Sequence, residues 1–211
     1  MHVGVDEAGK GPVIGSMFAA AVLADPAELP EGIKDSKQLS QDRREELAQA
    51  IREAAVAVAV TEIPVERIDD PEENMNELTV SAQAEAASQI ISEGDTGYLD
   101  AGDTNAVRFE KRVEAAVSED VDLRAEHKAD ETYPIVGAAS IIAKVAREAH
   151  VNALAAQYGE IGSGYPSDES TRQFLRKYVD QYGTLPPCAR RSWQTSKDIL
   201  AAQDQLSLTE F

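Results

Sequence analysis

Apolar residues fall in two runs near the start of the chain, at 3–5 and 16–23, on either side of a stretch holding Gly9, Gly11 and Gly15. Two apolar runs around a Gly/Pro turn predict a pair of strands forming a hairpin. Alternating Ala and Val over 55–63 predicts a third strand. Between them, Ser40 is a good N-cap, followed by Arg43, Arg44 and then Glu and Leu at helical spacing, which predicts a helix to residue 54. Further on, the pattern predicts a long helix over 75–92, a short strand over 97–101, a helix over 104–117 and a strand over 122–127. Pro134 then opens a long helix to about residue 158. After 164–166 the character changes, and two helices are expected at 167–182 and 192–206, joined by 183–187 and set across the active face. Strands followed by helices of these lengths argue for an α/β fold with a mixed central sheet flanked by helices, its first strands forming a meander. A catalytic domain at 1–165, a helical C-terminal region at 166–204 packed on its face and a flexible tail at 205–211 are the expected divisions.

Size fits this picture: 211 residues with 43% hydrophobic content suffice for one well-buried domain. The longest apolar stretch, 13–24, is broken by Gly15 and Ser16 and is too short to span a bilayer. It also lacks the basic flank of a secretory peptide. Cys188 stands alone, which excludes an intramolecular disulfide and suits a reducing, cytoplasmic location with no membrane partner. Charge changes the picture more. Asp and Glu number 38 against 20 Lys and Arg, for a net charge of −18, and the acids are spread along the whole chain. Such a chain either avoids nucleic acid or belongs to a proteome adapted to high salt; Glu-rich helix faces and the excess of arginine over lysine favour the second. In molar salt the Debye length falls to about 3 Å, so the acidic surface does not exclude a nucleic-acid substrate. Affinity would then come from metal, backbone amides and a few placed side chains, because diffuse Lys/Arg contacts weaken steeply with salt.

The candidate chemistry begins at Asp6 and Glu7, directly behind the first apolar run. Adjacent carboxylates beside a core are costly unless a cation or strong hydrogen bonds compensate. The glycines that follow let backbone pass close to something bulky and anionic. Asp100 and Asp130 lie where two further strands should end, the edge at which open α/β sheets bind ligands. Oxygen donors without Cys or clustered His suit Mg²⁺ or Mn²⁺ and argue against zinc. Neighbouring strand residues point to opposite faces, so Asp6 and Glu7 address one ion only if the strand kinks. Otherwise Glu7 reaches a second ion, about 4 Å from the first, as in in-line phosphodiester cleavage. Ser140, Lys144 and Arg147 form a polar helical stripe, either a solvated face or a phosphate-contacting edge; Lys37 and Arg43 are weaker candidates of the same kind. His127 is read as a packed or hydrogen-bonded histidine. The glycine spacing is not GxGxxG, and Pro12 lacks an amide, which disfavours an ordinary nucleotide-binding loop.

Together these strings resemble the ribonuclease HII (type 2 ribonuclease H) family. The matching segments are DEAGKGPVIG at 6–15, DSKQLS at 35–40, LDAGD at 99–103, HKADETYPIVGAASIIAKVARE at 127–148 and GSGYPSDESTRQFL at 162–175, in the family's order through most of the chain. The resemblance implies a ribonuclease H-like fold with a helical C-terminal region. It also implies endonucleolytic cleavage of RNA in RNA–DNA hybrids and at ribonucleotides embedded in duplex DNA, by two divalent cations, leaving 3′-hydroxyl and 5′-phosphate ends. The family's four metal-binding, catalytic acids fall on Asp6, Glu7, Asp100 and Asp130. Its reader of the ribose 2′-hydroxyl falls on Gly9, Lys10 and Gly11, and its sugar-stacking tyrosine on Tyr165. Lys10 departs from the family's usual arginine, which puts a bidentate phosphate contact by that side chain in doubt. A non-catalytic hybrid-binding module is the alternative; it would not need four converging acids. At the end of the chain, Gln205, Leu208 and Phe211 are spaced like the short peptide by which replication and repair enzymes dock on the sliding clamp. The expected protein is a monomer from a halophilic archaeon.

Overall fold

The computed structural model describes residues 1–33 and 39–209. Five strands, β1 (His2–Ala8), β2 (Met17–Ala24), β3 (Ala57–Ile63), β4 (Thr96–Asp100) and β5 (Asp122–Glu126), form one sheet in the order β3-β2-β1-β4-β5. The first three are antiparallel neighbours, the expected meander, while β4 and β5 run parallel to β1. Helices α1 (Gln41–Ala54), α2 (Val65–Ile68), α3 (Met75–Ser88), α4 (Ala106–Ala116), α5 (Ala129–Thr132), α6 (Pro134–Tyr158), α7 (Glu169–Tyr182) and α8 (Gln194–Thr209) complete the fold.

The helix starts follow capping chemistry. Ser40, Asn74, Asn105 and Asp168 each accept an amide hydrogen bond from the first turn of α1, α3, α4 and α7, and Pro134 occupies the first turn of α6. The pattern predicted neither α2 nor α5, because one turn is too short to show a helical period. It also ended the first strand at residue 5, whereas β1 pairs with β2 as far as Ala8. The carboxylates of Asp6 and Glu7 therefore sit inside a hydrogen-bonded strand.

The sheet buries both faces. Val3, Val5 and Leu99 pack against α3 and α4, with Phe109 and Val113 fully buried. On the other face Ala20 and Val22 pack under α1 and α6, and every residue of α6 from Ile135 to Ala143 is buried. Each large aliphatic side chain so buried stabilises the fold by roughly 1.5–3 kcal/mol. α6 lies almost on the backbone of β1: a Cβ on Gly4 would fall 2.3 Å from the carbonyl carbon of Ile135. Only glycine permits that approach, and it brings the polar positions of α6 down onto the end of β1. A third cluster joins α7, α8 and the end of α6 to Val13 and Ile14, just behind the glycine loop. Among the described residues no helix is long and apolar enough to cross a membrane.

Candidate active site

Strand alternation sends the two leading carboxylates to opposite faces, with no kink. Asp6, 5% exposed, faces α6, where the buried Ser140 hydroxyl donates to it and Lys144 lies within electrostatic reach. Lys144 Nζ in turn donates to Ser140 Oγ at 2.8 Å. Glu7 faces α3, where Gln83 Nε2 donates to its Oε2 at 2.6 Å. The same amide donates to the carbonyl of Asp100 at 2.9 Å, so one buried glutamine links the ends of β1 and β4 to α3.

Asp100 closes β4 beside Asp6, since Val5 and Leu99 are paired in register. Its Oδ1 accepts from the amide of Ala129 at 2.8 Å. That bond starts α5 and sets the buried Asp130 next to it, so Asp130 sits in the first turn of a short helix rather than at a strand end. The turn is made by Lys128, whose φ of 60° is left-handed. A non-glycine residue there costs about 1–2 kcal/mol, and the turn it makes carries the chain from β5 into α5.

Burial, with Glu7 and Asp100 nearby, holds the Asp6 carboxyl well above the usual carboxylate range. Burial likewise pushes Glu7 up to about 7, against the opposing pull of Gln83 and Lys10. Among the described residues no three acidic, histidine or cysteine groups are drawn into a ready-made metal cage. Buried carboxyl groups set beside one another with little positive charge between them are a donor set that a hard divalent cation fits, because the cation relieves the repulsion and takes up the charge that burial disfavours.

A cleft of about 450 Å³ opens beside Glu7, lined also by Gly9, Lys10, Gly11, Arg44, Lys144, Arg147, Glu148 and Tyr165. Gly9 has φ of 91°, and a Cβ there would come 3.0 Å from the carbonyl oxygen of Ser16, so the loop needs glycine at this point. Tyr165, 40% exposed, lies beside Gly11 with the Arg147 guanidinium 4.9 Å from its ring centre. Arg147 also donates to the Ser163 carbonyl.

The Lys10 side chain, whose phosphate contact was in doubt, is engaged elsewhere: its Nζ donates to the Gly102 carbonyl and to Asn76 Oδ1, so it braces the loop after β4. Two expectations change. Arg43 does not line the cleft; it is exposed and pairs with Glu46 at 2.7 Å. Its neighbour Arg44 lines it instead, bonded to Glu148 at 2.5 Å. His127 is exposed rather than packed. Lys37, Phe211 and the Leu208 side chain lie outside the described residues; Gln205 is an exposed residue of α8.

Gln83 and Arg190 were missed by the sequence reading. Gln83 had a faint signal, a lone amide among alanines in 82–87. Arg190 had none, for its partners lie more than 170 residues away. It is 0% exposed, with Nε on the carbonyl of Gly15 at 2.8 Å, Nη1 on that of Lys10 at 2.9 Å and Nη2 on that of Gly9 at 2.6 Å.

Comparison with known proteins shows the family and the fold. The ribonuclease HII family model matches residues 3–196. Ribonuclease HII of Haloarcula marismortui is 62% identical over the whole of both chains. Among solved structures, ribonuclease H2 from Pyrococcus horikoshii superposes with a TM-score of 0.90 at 38% identity, covering 96% of this chain and 98% of its own. The PCNA:RNase HII complex from Archaeoglobus fulgidus matches at 0.85 and 40% identity, covering 94% and 96%.

Proposed function

From the premise that the chain belongs to the ribonuclease HII family, and so is a divalent-metal-dependent endonuclease acting on RNA–DNA hybrids, we propose that it also cleaves duplex DNA at embedded ribonucleotides, using two cations held by Asp6, Glu7, Asp100 and Asp130. The observation that carries this is the placement of Asp6, Glu7 and Asp100 within electrostatic reach of one another beside a glycine loop at one end of the sheet, with Asp130 one residue beyond the Ala129 amide that Asp100 holds. When bound, such cations activate water and neutralise charge on the departing 3′ oxygen, giving 3′-hydroxyl and 5′-phosphate ends. The unkinked strand favours two cations over one, since Asp6 and Glu7 leave it on opposite faces. Magnesium and manganese both suit the oxygen donors.

The chain's own residues do the rest. Ser140 and Lys144 orient Asp6, and Gln83 orients Glu7. Lys144, Arg147 and Arg44 form a cationic edge along the cleft for the phosphate backbone. Gly9, Lys10 and Gly11 read the 2′-hydroxyl through their backbone, and Tyr165 stacks on the neighbouring sugar. A 2′-hydroxyl both donates and accepts, so a preformed backbone cradle tells ribose from deoxyribose at one nucleotide.

Residues 1–165 then form the catalytic domain and 166–204 a helical region supporting the substrate side. The tail from Gln205 through Leu208 to Phe211 docks on the sliding clamp, a reading supported by the Archaeoglobus complex. The enzyme acts as a monomer in a high-salt cytoplasm, in keeping with its acidic composition and its Haloarcula relative.

The test is incubation with duplex DNA carrying one ribonucleotide, with and without Mg²⁺ or Mn²⁺. Cleavage at the ribonucleotide, only with metal, is expected. Cleavage of long hybrids but not of this duplex would remove the embedded-ribonucleotide activity.

A further inference from the structure

The glycine loop is held from behind by a segment almost the whole chain away. Arg190 uses three nitrogens on three carbonyls, those of Gly9, Lys10 and Gly15, and Trp193 Nε1 donates to a fourth, that of Gly11, at 3.2 Å. The Arg190 guanidinium lies 4.8 Å from the centre of the Trp193 ring, so the two donors are also fixed to each other. The segment is anchored on its far side. Asp69 accepts from the amides of Arg191 and Ser192 at 2.7 and 2.9 Å, and from the Ser192 hydroxyl at 2.6 Å. Backbone bonds from Gly15 to the Cys188 carbonyl and from Arg190 to the Val13 carbonyl, both 2.8 Å, complete the splint. Arg190 and Trp193 thus hold four carbonyls of the loop, those of Gly9, Lys10, Gly11 and Gly15, from behind.

We propose that Arg190 and Trp193 are positioning residues for ribose selection: by holding the loop's carbonyls inward they present its amides as a fixed set of donors to the oxygen of the 2′-hydroxyl. This rests on the loop being the ribose reader and adds that its selectivity is set from the C-terminal segment. A planar guanidinium reaches three diverging acceptors where an ammonium on a flexible stem does not. Arg190 thus matters for its geometry and not only for its charge.

The test compares wild type, Trp193→Phe and Arg190→Lys. For each, KM and kcat are measured on duplex DNA with one ribonucleotide, and Ki is measured for the same duplex made entirely of deoxyribose, used as a competitor. The ratio Ki/KM reads ribose selection; loss of folded protein lowers kcat but leaves the ratio alone. Trp193→Phe keeps an aromatic ring under Arg190 and removes the one bond to Gly11. Its ratio should fall roughly three- to tenfold, as loss of one placed hydrogen bond implies, and Arg190→Lys, where it folds, should fall further. A Trp193→Phe ratio within about threefold of wild type overturns the proposal whether or not Arg190→Lys folds. A wild-type ratio near one means instead that the loop does not read ribose, and the underlying reading fails with it.

Discussion

The acid end of the sheet and the glycine loop are neighbours, with Glu7 lining the same cleft as the loop, and they are built on opposite principles. The loop is satisfied: Arg190 and Trp193 together occupy the carbonyls of Gly9, Lys10, Gly11 and Gly15. The acid end is in conflict: Asp6 and Glu7 are both held above the ordinary carboxylate range by burial, and Asp100 adds repulsion to each. A reader of sugar shape must be finished before substrate arrives, since any adjustment on binding erodes discrimination. A cation site is the reverse, because charge that would neutralise itself within the fold would leave nothing for metal to bind. The two regions should therefore respond differently to the same perturbations.

Neutralising the acids should have the largest effect. Asp6→Asn, Asp100→Asn and Asp130→Asn should each lower cleavage by roughly three orders of magnitude or more, since the cations supply the chemistry of the step. Melting temperatures should stay level or rise, because each change relieves repulsion. Near-wild-type turnover in any one of them removes that residue from the site.

Tyr165→Ala strikes the other side of the cleft. Cleavage at an embedded ribonucleotide should fall about tenfold, the equivalent of ~1.4 kcal/mol of stacking, with metal affinity by titration calorimetry unchanged. Parallel loss of metal affinity would contradict the division of labour.

The conflict should also be visible in stability. Glu7 titrates near 7 in the folded protein against about 4.5 unfolded, and Asp6 is shifted the same way. A raised folded pKa stabilises fully below the unfolded value and is lost as pH rises through the folded one. In chelator, the protein should lose about 1–3 kcal/mol of unfolding free energy between pH 5 and 8 at fixed salt. Asp103, Asp168 and Glu169 are shifted downward and already ionised in this window. His150, lowered by burial, gains stability as pH rises and offsets part of the loss, so the comparison is made in a His150→Gln background. Divalent cation should restore stability at pH 8 more than at pH 5. Rising stability from pH 5 to 8 in chelator would end the idea of a strained acid cluster. The smallest effect on cleavage should follow deletion of residues 206–211, which leaves short substrates untouched but abolishes pull-down of the cognate clamp; undiminished capture would refute the docking role.

Much of this cleft is legible in sequence because its parts are local. Two acids behind an apolar run, glycines after them and a strand alternation of two residues are visible without any tertiary contact, and they single out Asp6, Glu7 and the loop as candidates. Asp100 followed from its place at the end of β4. Asp130 was read in the right neighbourhood but on the wrong element, since a single turn such as α5 has no periodicity to detect. Sequence put a phosphate contact by Lys10 in doubt but gave no other partner; the Gly102 carbonyl, 92 residues away, supplies it. Arg43 and Arg44 are equivalent on paper; the docking of α1 against α6 brings Arg44 to Glu148 and the cleft.

The sequence by itself determined the order of elements, the alternation that splits Asp6 from Glu7 and the family to which the chain belongs, all properties of short-range pattern. Tertiary structure alone decided which arginine faces the cleft, that Gln83 spans two strands, and that a buried guanidinium from residue 190 finishes a loop at residue 9. Those contacts depend on how packed layers come to rest against one another. No local preference encodes that, because a lone buried arginine or glutamine is costly at any position until the carbonyls it satisfies have arrived.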